Sequence, residues 1–146
     1  MELGLVASAR GGLVRRAAPI ACGAALAGTA AFIGTHDPGA AGSRFPPCAF
    51  HQLTGLWCPG CGLTRGTYQL LHGHVGAAVS YNVFTPLALA AIVVVWIGWL
   101  RVSWGGPALH MPQRLGRPLA VIAPALLIVY GVLRNVPVAP LRALAP

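Results

Sequence analysis

The chain has 146 residues, 56% of them hydrophobic and only 8% charged, with a mean hydropathy of +0.71. Soluble domains carry about a quarter charged residues, so a water-covered globular surface is excluded, and so are disorder and collagen-like repeats. The formal charge of +8 comes from ten arginines, with no lysine, against Glu2 and Asp37. The arginines are scattered between apolar runs rather than clustered, which points to membrane interfaces and not to nucleic acid.

Three uncharged runs predict an all-α membrane protein, a single domain over 1–146 with transmembrane helices at about 17–34, 83–101 and 118–134. The first run follows Arg15 and Arg16 and is longer than the apolar core of a signal peptide, so it reads as a retained helix. The second ends at Arg101 between Trp99 and Trp104, an aromatic belt. The third, between Arg117 and Arg134, spans about 24 Å as a helix, short for a bilayer but workable with snorkelling arginines.

With the N-terminus inside, Arg10, Arg15, Arg16, Arg101, Arg114 and Arg117 are cytoplasmic, against Arg44, Arg65, Arg134 and Arg142 outside. That asymmetry predicts an extracytoplasmic 35–82 loop. Pro19 and Pro86 fall near the starts of their predicted helices, whereas Pro124 in mid-helix predicts a kink or a freed carbonyl. Gly23, Ala24, Ala27 and Gly28 offer a small-residue packing face, and Cys22 reads as a packing residue. His36 and His110 read as interfacial.

The chemistry-bearing residues concentrate between the first two runs, where Cys48, Cys58, Cys61, His51, His72 and His74 stand. In Cys58-Pro59-Gly60-Cys61, proline presets φ, and a type II turn requires positive φ at Gly60; such a turn brings two sulfurs to one side. Gly62 leaves room for backbone N–H groups near the sulfurs. Four readings of the turn stand side by side. One is a zinc or iron site completed by Cys48 and His51, and another is a Cys58–Cys61 disulfide. The third is a cysteine nucleophile with His51 or His72 as base, and the fourth a tight turn whose cysteines only pack. Further on, Thr64 is expected to cap a short interfacial helix beginning near Arg65, with Tyr68, Leu71 and Val75 on one face and Gly73 at its end. Thr64 and Arg65 together offer an anion or lipid-headgroup contact.

The segment FPPCAFHQLTGLWCPGCGLTRGTYQLLHG resembles the core of the bacterial membrane family catalogued as domain of unknown function 2752, with its CPxCGxTR signature. The resemblance continues through Tyr81-Asn82 to Arg134-Asn135-Val136-Pro137. The chain departs from the family pattern at Cys48-Ala49-Phe50, His74 and Asn82-Val83. The resemblance implies a small multi-pass protein of the bacterial plasma membrane and supplies no activity. The expectation is therefore a metal-binding or disulfide-forming site at the membrane surface. The rival is a non-catalytic partner of another membrane protein, or of a lipid headgroup, acting through Arg65.

Overall fold

The computed structural model describes residues 2–109, 112–139 and 141–144, without the side chains of 2–11, 113, 115, 142 and 143. His110 and the side chains of Arg10 and Arg142 lie outside the described residues. The described chain is helical, with no strand: α1 Glu2–Thr35, α2 Ala49–Thr54, α3 Leu63–Leu71, α4 Val75–Tyr81, α5 Thr85–Ser103 and α6 Gln113–Leu133, then a 3-10 turn at Leu141–Leu144.

Three stretches are long and apolar enough to cross a membrane: Gly12–Thr35, Thr85–Ser103 and Gly116–Leu133. They coincide with the three predicted runs. Their side chains face outward, Val95, Val121 and Ile128 among them. In water such an apolar surface is a liability; in lipid it is the expected solvent-facing side.

α1 begins far upstream of the predicted start, so Pro19 lies inside it and not in its first turn. Pro19 is buried, and its carbonyl accepts a 2.8 Å hydrogen bond from Trp96 Nε1 of α5. Gly23, one turn on, makes that approach possible, since a Cβ there would fall 2.5 Å from the indole. Gly28 has nothing within 4 Å, so the small-residue face is used at Gly23 and not at Gly28. α6 runs unbroken through Pro118 and Pro124, which leaves the Ala120 carbonyl without its usual N–H donor.

The segment between the first two spans holds three short helices where one was expected. α3 starts at Leu63 with Gly62 as its N-cap at φ 83°, so Thr64 does not cap it. Gly73, at φ 78°, ends the turn after α3 as predicted, and Val75 opens α4 instead of extending the face of Tyr68 and Leu71. α3 packs on α4, α1 and α5. Gly66 sits at the tightest of these contacts: a Cβ there would meet Thr85 Oγ1 at 2.5 Å and the Ala78 carbonyl oxygen at 3.0 Å. α6 joins through its C-terminal end, where Tyr130 meets Phe84 edge to face at 5.0 Å and Gly131 lies against Pro59. The Cys-Pro-Gly-Cys turn is thereby held between Asn82, at the end of α4, and the C-terminal end of α6.

Candidate metal centre

Cys48 is the residue before α2, and Cys58 and Cys61 flank the turn that precedes α3. The Cys61 N–H donates to the Cys58 carbonyl at 3.1 Å, closing that turn, and Leu63 N–H donates to the Gly60 carbonyl at 3.1 Å. Gly60 is not among the positive-φ glycines, so the turn is not the type II turn expected. Pro59 and Gly60 form it on the ordinary side of φ, and the left-handed position falls two residues later, at Gly62. A Cβ on Gly60 would meet only Cys58 Sγ, at 3.8 Å.

The three thiols converge. Cys58 Sγ lies 3.2 Å from Cys61 Sγ and 3.5 Å from Cys48 Sγ, and all three sulfurs fall within 4.8 Å of one another. Thiolates around a tetrahedral zinc ion, each at about 2.3 Å, stand about 3.8 Å apart. Cys61 is buried and the other two are half-buried; all are free thiols. His51 stands outside this group. Its Nδ1 pairs with the Leu56 carbonyl oxygen at 3.2 Å, and its ring stacks on Trp57 with centroids 3.9 Å apart. Thr64 and Arg65 reach the same side of the molecule: with Cys48, Cys61, His51 and Trp57 they line a cavity of about 440 Å³. His72 and His74 are turned to their own helix surroundings, on Tyr68 O and Gln69 Oε1 respectively.

Behind the turn lies a set of polar side chains that sequence reasoning did not single out as site residues. Arg134 is 2% exposed. Its Nη1 donates to the carbonyls of Cys61 (2.8 Å) and Cys58 (3.3 Å), and its Nη2 to that of Tyr81 (3.3 Å). Asn82, also buried, donates through Nδ2 to the carbonyls of Pro59 (2.8 Å) and Cys61 (3.2 Å). Asn135 clamps Trp57 from both sides, accepting from its N–H at 2.7 Å and donating to its carbonyl at 2.8 Å. The signal available in the sequence was the recurrence of Asn82, Arg134 and Asn135 within the family resemblance. Arg134 alone read as a membrane-end arginine.

The electrostatics of the three thiols differ. The His51 backbone N–H, in the first turn of α2, holds the Cys48 thiol below its ordinary value, and the neighbouring Cys61 and Cys58 thiols act in the same direction. Burial, reinforced by the Cys58 and Cys48 thiols, pushes Cys61 up to about 12. In metal-free protein, iodoacetamide should therefore modify Cys48 at lower pH than Cys61, read by mass spectrometry across a pH series. Equal or earlier reaction of Cys61 would contradict this geometry. The raised Cys61 pKa means the folded chain holds that proton more tightly. Its contribution to stability is intact below the ordinary thiol value of 9.0 and is lost as pH rises toward 12. Cys48 has the opposite sign, with its contribution lost as pH falls through its lowered pKa.

Among the described residues Arg134 has no carboxylate partner, and the acidic side chains of the sequence are Glu2 and Asp37. The cation is held by the three carbonyls it donates to and by the Tyr130 ring, whose centroid lies 5.0 Å from its Cζ.

No curated protein and no solved structure matches the chain. Residues 48–96, which hold the three clustered cysteines, Asn82 and most of α5, match the family model described as Protein of unknown function (DUF2752).

Proposed function

We propose that the protein is an integral membrane protein that binds one thiophilic divalent ion, zinc or ferrous iron, through Cys48, Cys58 and Cys61. The convergence of three sulfurs carries the reading. A Cys58–Cys61 disulfide would need two thiols and leave the third without a use, whereas three thiolates are a metal-ligand set. Arg134 supports it by supplying the positive charge that offsets a trithiolate complex. His51, the fourth ligand expected from spacing, has no ring nitrogen within the sulfur group, so the described residues supply three donors and leave one position open.

The arginine asymmetry supports a cytoplasmic N-terminus in a bacterial plasma membrane and an extracytoplasmic cysteine segment. On that side, metal binding would also shield the thiols from oxidation. Protein purified anaerobically in detergent should carry about one zinc or iron per chain, and Cys48→Ser should abolish that content. A metal-free protein with a Cys58–Cys61 disulfide in the unreduced mass spectrum would defeat the proposal. In intact cells, a membrane-impermeant maleimide should label the cysteines only once a chelator is added. Labelling that requires permeabilisation would place the segment on the cytoplasmic side.

A further inference from the structure

We infer that the open position of this site takes a small anion, joined to the metal through one donor atom and paired with the Arg65 guanidinium. The inference deepens the metal reading and rests on it. Three thiolates leave a tetrahedral ion one position for an exchangeable ligand. Cys48 and Cys61 form part of the wall of the 440 Å³ cavity, so that position borders a space of the size that small ligands occupy.

Charge decides what kind of ligand enters. Three thiolates and a divalent ion sum to one negative charge, which Arg134 balances from the buried side of the turn. Arg65 is then left over. It is exposed, has no hydrogen-bond or ion-pair partner among the described residues, and is the one charged side chain among those lining the cavity. No carboxylate lines that wall. The cavity therefore carries one unbalanced positive charge beside a vacant coordination position, and a monoanion satisfies both at once. A carboxylate fits this pairing through its second oxygen, since the guanidinium fork matches carboxylate geometry. A neutral ligand would leave Arg65 unpaired. The class of ligand is thus a small organic acid or an anion of similar size. His51 is the competitor for the position, and neither of its ring nitrogens falls within the group of sulfurs.

The test uses the full chain in detergent, loaded with Co²⁺, whose thiolate charge-transfer and visible bands report the coordination shell. Sodium azide is the probe, with sodium perchlorate at equal ionic strength as the non-coordinating control. Azide should change the visible bands saturably while perchlorate does not. Arg65→Gln should weaken azide binding by about fivefold at low salt, the scale of a partly exposed charge pair. Arg65→Lys should recover much of it, and Co²⁺ affinity should be unchanged in both. A wild-type spectrum indifferent to azide would overturn the inference, as would Arg65→Gln binding azide as tightly as wild type. A spectrum that responds to azide only in His51→Ala would overturn it too, by showing that His51 fills the position. Absence of the thiolate charge-transfer band in wild type is a separate result: it removes the metal reading itself and the inference with it.

Discussion

Replacing Arg134 by leucine is expected to lower stability by about 3 kcal/mol and to weaken metal binding by about two orders of magnitude. The side chain is buried at the end of α6, and it ties that helix to the carbonyls of Cys58, Cys61 and Tyr81. Leucine removes three donors and strands the Tyr81 carbonyl in particular, since Cys61 O keeps Asn82 and Cys58 O keeps the turn bond. It also removes the positive charge against which a trithiolate complex is balanced. Arg134→Lys separates the two roles. It keeps the charge but loses the guanidinium fork, so metal affinity should fall less than stability does. Thermal unfolding in detergent and competitive zinc titration measure the two quantities. Leucine and lysine variants with equal metal affinity would show that the charge plays no part.

Cys48→Ser, Cys58→Ser and Cys61→Ser should each weaken metal binding by about 10² to 10³-fold, and the Cys58→Ser/Cys61→Ser double variant should lose little more stability than either single one. The three thiols act as one unit because a metal ion is either held or lost. Cys48 separates the readings most sharply, since a Cys58–Cys61 disulfide would make Cys48→Ser nearly silent. Cys22→Ser, within α1, should behave as an ordinary packing change. The glycines of the turn give a second contrast. Gly60→Ala should be tolerated, because Gly60 is not at positive φ and a Cβ there meets only Cys58 Sγ. Gly62→Ala should cost about 1 kcal/mol, since Gly62 alone in this turn sits at positive φ. Limited proteolysis of the 35–82 segment, with metal analysis alongside, reads all of these variants. Additive losses from Cys58→Ser and Cys61→Ser would argue against a shared ion.

Hydropathy made the three spans legible, because uncharged runs of that length have few other uses and Arg101, Arg117 and Arg134 mark their ends. The start of α1 was not legible: the arginines at 10, 15 and 16 read as a boundary, yet alanine-rich sequence carries the helix through them. The short helices were compressed into one because each is shorter than two or three turns and leaves little periodicity. In the site, close sequence spacing put Cys58 and Cys61 together, and the residues between them fixed the turn. Cys48 was placed with them as half of a second pair, two residues from His51, and the structure brings its sulfur to 3.5 Å from Cys58. His51 has the same two-residue spacing from Cys48, but α2 and the stacked Trp57 take its ring elsewhere. Local spacing could not show that. Arg134, Asn135 and Asn82 were illegible as site residues because their partners lie 21 to 78 positions away. Only the tertiary path of α6 brings them to the turn.

The most direct test of the central claim is zinc-edge X-ray absorption on the anaerobically purified full chain, which counts the donors around the ion. The account predicts three sulfurs at about 2.3 Å and one lighter oxygen or nitrogen donor, falling to two sulfurs or to no bound zinc in Cys48→Ser. Zinc bound by oxygen and nitrogen alone, or a wild-type spectrum unchanged in Cys48→Ser, would contradict it.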